Sequence, residues 1–263
     1  MRTPLIAGNW KMHKTIGEAV DFVESLRVEV AGVANVEVLV CPPYLAVHEV
    51  ARHLQGTNIA VGVQDVFWKE QGAYTSQVAP KMALDAGATY AIIGHSETRG
   101  RFGKEDMTPA QFGFFAESDE TVNVKIHAAL AAGLKPIMCC GETIDERQAG
   151  NTDSVISSQV EKGLAGLSKE QAAGMVIAYE PVWAIGTGEV CDTPEANRVC
   201  GMIRSVVSGL FGEAVGEKVR IQYGGSVKPS NAAEILSQSD IDGALVGGAA
   251  LKVPDFVAIV RSA

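Results

Sequence analysis

The chain has 263 residues, of which 47% are hydrophobic and 20% charged, and its formal net charge is −9. This length is enough to bury a large hydrophobic core, and the composition excludes an intrinsically disordered chain. The acidic balance argues against a nucleic-acid-binding protein, which needs a basic surface. The 28 glycines are spread along the chain and predict many turns or much backbone close to a ligand.

The sequence carries no signal for export or membrane insertion. Lys11 and Lys14 follow the first residues at once, so the apolar part of a signal peptide does not fit. No stretch approaches the roughly 20 apolar residues of a membrane-spanning helix. The five cysteines are odd in number and lack metal-site spacing. We therefore expect a cytoplasmic protein with free thiols, without a membrane partner and without a metal.

Eight short runs of apolar, largely β-branched residues recur along the chain. Continuous runs of this kind are typical of strands that are buried on both faces. The runs cover residues 4–7, 36–41, 59–63, 90–93, 136–139, 175–179, 219–223 and 244–246.

Segments with helical periodicity separate these runs, for example residues 16–30. Thr193 is predicted to cap one helix, and Asn231 with Glu234 has the spacing of a capping box. Strands that alternate with helices predict a parallel sheet, and eight such units in about 250 residues are the size of a (β/α)8 barrel. A doubly wound open sheet is the alternative. No linker divides the chain, so we expect a single domain spanning residues 1–263.

Polar residues follow several strands, where a barrel places its catalytic groups. Asn9 and Lys11 follow the first strand, His95 and Glu97 the fourth, and Glu180 the sixth. This arrangement brings an ammonium, an imidazole and a carboxylate to one end of the barrel. Burial of Glu180 behind an apolar strand is expected to raise its pKa towards that of a useful base. A core histidine and a solvated surface lysine are the structural alternatives.

Glycine pairs follow the last two strands, at 224–225 and 247–248. Backbone N–H groups without a β-carbon beside them can approach an anion, and these two loops form the phosphate site of many barrels. The position of both pairs therefore predicts a phosphate site, although either pair alone could simply turn the chain.

The segment after the sixth strand is uncharged and contains an amphipathic tryptophan. We interpret it as a lid that closes over the site and excludes water. A loop packed permanently on the barrel is the alternative, and the sequence leaves both open. Its residues are Pro181, Val182, Trp183, Ala184, Ile185, Gly186, Thr187 and Gly188.

The assembled motifs resemble those of the triosephosphate isomerase family, from end to end of the chain. The matching segments are 7–12, 94–97, 178–188, 223–227 and 246–249, and the third is an unbroken family signature. The resemblance implies a TIM barrel and an isomerase without a cofactor. Its substrates would be dihydroxyacetone phosphate and D-glyceraldehyde 3-phosphate, interconverted through an enediol or enediolate.

The resemblance also implies a role for each polar residue. Glu180 moves a proton between neighbouring substrate carbons, and a neutral His95 polarises the carbonyl group. Lys11 and Asn9 stabilise the oxyanion, and Glu97 supports Lys11. The phosphate is held by the backbone N–H groups of Gly186, Ser226, Gly247 and Gly248.

The resemblance further implies a homodimer with Thr75 at its interface. The chain departs from the family at Thr98, where arginine is usual, and this departure puts a local structural ion pair in doubt more than the chemistry. The connection after the fourth strand is longer than usual, and we place an insert at 101–113. This insert is expected to cover part of the dimer edge, and a tolerated surface excursion is the alternative.

Two other functions are kept as alternatives. Another phosphate-binding barrel isomerase would carry catalytic aspartates at strand ends, and it explains the 178–188 signature poorly. A non-catalytic barrel scaffold predicts the loss of Lys11, His95 or Glu180, and the sequence retains all three.

Overall fold

The computed structural model describes residues 2–102, 107–185, 189 and 191–263. Within these residues, eight parallel strands form a closed barrel in sequence order, and the last strand pairs with the first. The strands are β1 (Leu5–Asn9), β2 (Glu37–Cys41), β3 (Ile59–Val63), β4 (Tyr90–Ile93), β5 (Lys135–Cys140), β6 (Val176–Tyr179), β7 (Arg220–Tyr223) and β8 (Gly243–Val246). The predicted (β/α)8 barrel is confirmed, and the open sheet is wrong.

Helices connect the strands and surround the barrel. In the described residues they are α1 (Ile16–Val30), α2 (Tyr44–His53), α3 (Pro80–Asp85), α4 (Pro109–Phe112), α5 (Asp119–Ala132), α6 (Ile144–Gln148), α7 (Thr152–Gly163), α8 (Lys169–Ala173), α9 (Thr193–Phe211), α10 (Glu213–Gly216), α11 (Ala232–Leu236) and α12 (Val253–Val260). Short 3₁₀ helices follow β6 at Val182–Ala184 and β8 at Gly248–Leu251. None of the described helices is both long enough and apolar enough to cross a membrane.

The strands are buried on both sides, which explains their continuous apolar runs. Along β1, Leu5 and Ala7 belong to a cluster made of strand residues, inside the barrel. Ile6 belongs to the larger cluster formed by strands and helices together. Alternate residues of one strand therefore face two different cores, and the residues that face either core must be apolar.

Local sequence fixes several helix starts. Five helices begin with a capping box, in which a serine or threonine side chain and the third helical residue satisfy each other's backbone N–H groups. A cap of this kind stabilises a helix by about 1 kcal/mol. The capping residues are Thr15, Thr108, Ser118, Thr143 and Ser168.

Two of the predicted helix caps are wrong. Asp192, rather than Thr193, accepts the hydrogen bond that caps α9. Asn231 makes no side-chain cap on α11. Its Oδ1 instead accepts from the backbone N–H of Lys228, and its Nδ2 donates to the carbonyl of Ser226. This asparagine therefore braces the loop that follows β7.

Candidate active site

The carboxyl ends of β1, β4 and β6 bring the predicted polar side chains to one cavity. Asn9, Lys11, His95 and Glu180 line it, together with both glycine turns, and its volume is about 650 Å³. Glu97 lies beside it, because its carboxylate pairs with the Lys11 ammonium. The structure thus brings these side chains together at one cavity, and their roles in catalysis stay predictions.

Glu180 is almost completely buried, with 2% of its surface exposed. Its Oε1 lies 2.8 Å from His95 Nε2, and its Oε2 accepts the backbone N–H of Ser96 at 2.9 Å. On the other side of the imidazole, Nδ1 accepts the backbone N–H of Glu97 at 3.2 Å. Because an acceptor nitrogen carries no proton, this contact defines a neutral imidazole whose Nε2–H donates to Glu180.

Opposing influences set the pKa of Glu180. Burial raises this pKa, because a carboxylate loses solvation away from water. Interaction with His95, the backbone N–H of Ser96 and the charge of Lys11 lower it, and the net result is a pKa below the ordinary value. The expected rise is therefore wrong for this arrangement of the site, since the sequence revealed the burial but not the hydrogen bonds.

Lys11 is held in a strained backbone conformation at the end of β1. Its φ of 50° lies in the left-handed region, which costs a residue with a side chain about 1–2 kcal/mol. The side chain of Asn9 accepts the Lys11 N–H at 3.0 Å, and Gln64 Nε2 donates to the Lys11 carbonyl at 2.9 Å. The ammonium then reaches Glu97 Oε1 at 2.5 Å. These contacts fix the ammonium at the cavity.

The glycine turns differ in why they need glycine. A β-carbon at Gly225 would lie 2.2 Å from the Tyr223 hydroxyl, and one at Gly224 would lie 2.9 Å from Glu180 Cγ. At Gly247 the nearest atom to such a carbon would be Lys11 Cε, at 3.6 Å, and Gly248 has open space around it. The first turn therefore packs tightly against the strand ends, whereas the second leaves room beside a positive charge.

The first residues of the segment predicted as a lid are held by contacts with the segment after β5. Trp183 Nε1 donates to Glu142 Oε1 at 2.9 Å, and the Tyr179 hydroxyl donates to the same oxygen at 3.2 Å. The Arg147 guanidinium lies 4.4 Å from the centroid of the Trp183 ring. Residues 186–188 lie outside the described residues, so the predicted phosphate contact of Gly186 and the rest of the lid stay predictions.

Sequence reasoning missed two residues of this region. Glu142 comes two positions after β5 and is fully buried, and Gln64 comes directly after β3. Their signal was the one used for the other residues, because both are polar groups at the carboxyl ends of strands.

Thr98 and Thr75 lie outside the cavity lining. The Thr98 hydroxyl donates to Glu117 at 2.6 Å, and the Lys125 ammonium pairs with Glu117 and with Asp65. Thr98 therefore makes a hydrogen bond to a glutamate that is itself paired with a lysine. Thr75 is exposed on the loop between β3 and α3, and its interface role stays a prediction.

The two ends of the predicted insert at 101–113 pack against each other, and its first residue also contacts the segment after β5. Arg101 contacts the segment after β5, and the Phe102 ring packs against Phe112 and Phe115 at centroid distances of 5.8 and 5.3 Å. Residues 103–106 lie outside the described residues. The single-domain prediction and the role of the insert at the dimer edge remain untested.

A family model described as "Triosephosphate isomerase" matches residues 4–263. The chain belongs to the triosephosphate isomerase family. The triosephosphate isomerase of Carboxydothermus hydrogenoformans is 51% identical over 261 residues, which cover 99% of each chain. That of Clostridium perfringens is 50% identical over 261 residues, covering 99% of this chain and all of the relative. The predicted family is confirmed.

A solved triosephosphate isomerase structure has the same fold. The enzyme from Bartonella henselae superposes with a TM-score of 0.85 at 37% identity, covering 99% of this chain and 98% of the other. The match spans the whole barrel, so the family likeness includes the architecture that assembles the site.

Proposed function

We propose that this chain interconverts dihydroxyacetone phosphate and D-glyceraldehyde 3-phosphate by proton transfer at the site built on Glu180. The observation that carries the proposal is the contact between the buried Glu180 carboxylate and the neutral imidazole of His95. Family membership supports the same reaction. The two alternative functions are not favoured, since the family model covers nearly the whole chain and the three key side chains line one cavity.

The phosphate group would bind between the two glycine turns. Backbone N–H groups of Ser226, Gly247 and Gly248 are the proposed donors, with Gly186 as a fourth. The open space at Gly248 and the nearby Lys11 side chain support this placement. The Asn231 side chain holds the Ser226 carbonyl and so braces the first turn.

Glu180 is the proposed base. It takes a proton from the carbon next to the carbonyl group, and the C–H electron pair moves towards the carbonyl oxygen. The His95 Nε2–H donates a hydrogen bond to that oxygen, while Lys11 and Asn9 stabilise its negative charge. His95 gives its Nε2 proton to the former carbonyl oxygen and takes the hydroxyl proton from the oxygen of the first carbon, which becomes the new carbonyl oxygen. Protonation of the former carbonyl carbon by Glu180 then completes the isomerisation. Every step moves a proton between side chains and substrate, so the proposal includes no cofactor.

Substrate binding is expected to strengthen Glu180 as a base. When the substrate oxygen takes the His95 Nε2–H, the carboxylate loses one of the interactions that lower its pKa. Its burial remains, so the pKa rises in the complex. The lid proposed for residues 181–188 would exclude water and protect the enediolate from elimination of its phosphate.

We also propose a cytoplasmic homodimer. Large apolar side chains are exposed in the segments after the first three strands, and Thr75 lies in the third of these segments. Met12 is 95% exposed, Leu45 87% and Met82 55%, and an apolar surface of this kind is typical of a protein interface. The five buried free cysteines support a reducing compartment. Sedimentation of wild type and Thr75→Arg tests the dimer, and a wild-type monomer would contradict it.

The activity is tested by a coupled assay with D-glyceraldehyde 3-phosphate. The wild type should convert the substrate, and Glu180→Gln should lower kcat by at least about 100-fold because the base is lost. Far-UV circular dichroism serves as the folding control. A wild type without activity, or a folded Glu180→Gln with near-normal kcat, would overturn the proposal.

A further inference from the structure

Arg101 joins the two loops that hold Glu180. Its backbone N–H donates to the carbonyl of Ser96 at 2.8 Å, within the loop after β4. Its guanidinium crosses to the segment after β5, where Nη1 and Nη2 donate to the two carboxylate oxygens of Glu146 at 2.7 and 3.0 Å. Nη1 also donates to the carbonyl of Gly141 at 3.2 Å. A two-pronged contact of this kind fixes direction as well as distance.

The first loop holds the carboxylate of Glu180. Ser96, whose carbonyl accepts from Arg101, is also the residue whose backbone N–H donates to Glu180 Oε2. The preceding residue, His95, contacts the other carboxylate oxygen. The position of Ser96 therefore helps to set where the carboxylate lies.

The second loop holds the main chain of Glu180. A β-carbon at Gly141 would lie 1.7 Å from the Glu180 carbonyl oxygen, so the two backbones are in direct contact. The Glu180 N–H donates to the carbonyl of Cys140 at 2.8 Å. Gln159 binds both the N–H and the carbonyl of Gly141. Any shift of this segment would therefore move Glu180 with it.

Glu146 is itself anchored to the start of α6. Its Oε2 accepts the backbone N–H of Thr143 at 2.8 Å within the capping box of that helix. The carboxylate that receives the Arg101 guanidinium is thus held by its own helix, and the contact joins two well-defined segments.

We propose that Arg101 is a positioning residue for the reaction, which keeps the loop at Ser96 and the segment at Gly141 in register on either side of Glu180. The inference rests on the proposed role of Glu180 as the base. It gives the start of the predicted insert a part in catalysis. Arg101 contacts neither the phosphate turns nor Lys11 in the described structure, so it acts on the chemical step and leaves substrate binding alone.

The test compares the kinetics of Arg101→Gln and Arg101→Lys with wild type. Because small misplacements of reacting groups cost up to about 100-fold in rate, we expect Arg101→Gln to lower kcat by roughly tenfold. KM should stay within about twofold, because the groups that hold the substrate are untouched. Arg101→Lys keeps the positive charge but loses the two-pronged contact with Glu146. Its kcat should therefore lie between those of wild type and Arg101→Gln.

A primary deuterium isotope effect adds a readout that a purely structural role would leave unchanged. With substrate deuterated at the carbon that loses its proton, Arg101→Gln should show a larger isotope effect on kcat, because proton transfer becomes slower. Glu146→Gln weakens the same contact from the other side and should also lower kcat. This second variant still tests the proposal if Arg101→Gln folds poorly.

The matched control is Arg220→Gln. Arg220 also pairs with a partly buried glutamate, Glu37, but at the opposite end of the barrel. Its loss should lower thermal stability while leaving kcat and the isotope effect at wild-type values. If the Arg101 variants lose stability like the control but keep wild-type kcat, or change KM alone, the proposal is overturned. A wild type that does not turn over would instead refute the proposed function.

Discussion

The two ends of the barrel use similar residues for different purposes. At the amino end, Arg220 Nη1 donates to Glu37 Oε2 at 2.5 Å, and the Tyr90 hydroxyl donates to Glu37 Oε1 at 2.5 Å. Arg220 Nη2 closes the triangle by donating to the Tyr90 hydroxyl at 3.0 Å. At the carboxyl end, Glu180 and His95 also bind each other, but they line a cavity.

The difference shows what separates a structural polar cluster from a reactive one. Protein groups occupy both oxygens of Glu37 and both oxygens of Glu180, but Glu37 lies outside the cavity that Glu180 lines. At the carboxyl end, a ligand in the cavity can replace one protein contact with a contact of its own. The chemistry therefore depends less on which residues are present than on whether their partners can be exchanged.

The largest effect that sharpens this comparison is expected from His95→Gln. Loss of the imidazole removes the group that donates to the substrate oxygen, so kcat should fall by at least about 100-fold. A coupled assay measures this. His127→Gln is the matched control, because His127 lies in α5, outside the cavity lining, and its Nε2 lies 3.0 Å from the carbonyl oxygen of Ala165. Equal losses of kcat in both variants would break the comparison.

A smaller effect, on stability alone, is expected from Arg220→Gln. The change leaves Glu37 with only the Tyr90 hydroxyl as its described hydrogen-bond donor, so the free energy of unfolding should fall by about 1–3 kcal/mol. Urea denaturation measures the loss, and kcat should not change. A tenfold loss of kcat without a loss of stability would show that the two ends are coupled.

The smallest effect concerns Asp65, at the carboxyl end but outside the cavity lining. Burial and the neighbouring charge of Glu117 raise the pKa of Asp65 to about 6, although Lys125 opposes them. Between about pH 4 and pH 6 the folded protein therefore holds a proton that the unfolded chain has released. This contribution to stability grows as the pH falls through 6 and is lost above it.

Comparison of wild type with Asp65→Asn isolates this effect. Urea titrations measure the free energy of unfolding of both proteins. The difference, wild type minus variant, should increase as the pH is lowered from 7 to 5. A difference that stays constant, or that shrinks over this range, would place the pKa of Asp65 at or below its ordinary value.

The sequence predicted the barrel and most of the site for identifiable reasons. Strands buried on both faces left continuous apolar runs, and the position of Lys11, His95 and Glu180 at strand ends placed them together. The Glu142–Trp183 contact and the Arg101–Glu146 contact could not be predicted, since they join residues more than 40 positions apart with no repeating pattern.

Two wrong predictions have the same origin. The pKa of Glu180 depends on His95 and on the backbone N–H of Ser96, which is 84 positions away. Asn231 has the spacing of a helix cap, but tertiary structure assigns its side chain to the loop after β7. In both cases the residue type and its position were predicted correctly, and a distant partner determined what the side chain does.

The seam between β7 and β8 has a consequence for the motions of the barrel. These strands share a single registered residue pair, Tyr223 with Ala244, whereas β1 and β2 share five. Local opening begins where a ladder is short, so amide hydrogens at this seam should exchange with solvent early. Both proposed phosphate turns extend from these strands. A ligand that bridges the turns resists their separation and slows the exchange. Ligand binding and closure of the barrel at this seam are therefore thermodynamically coupled.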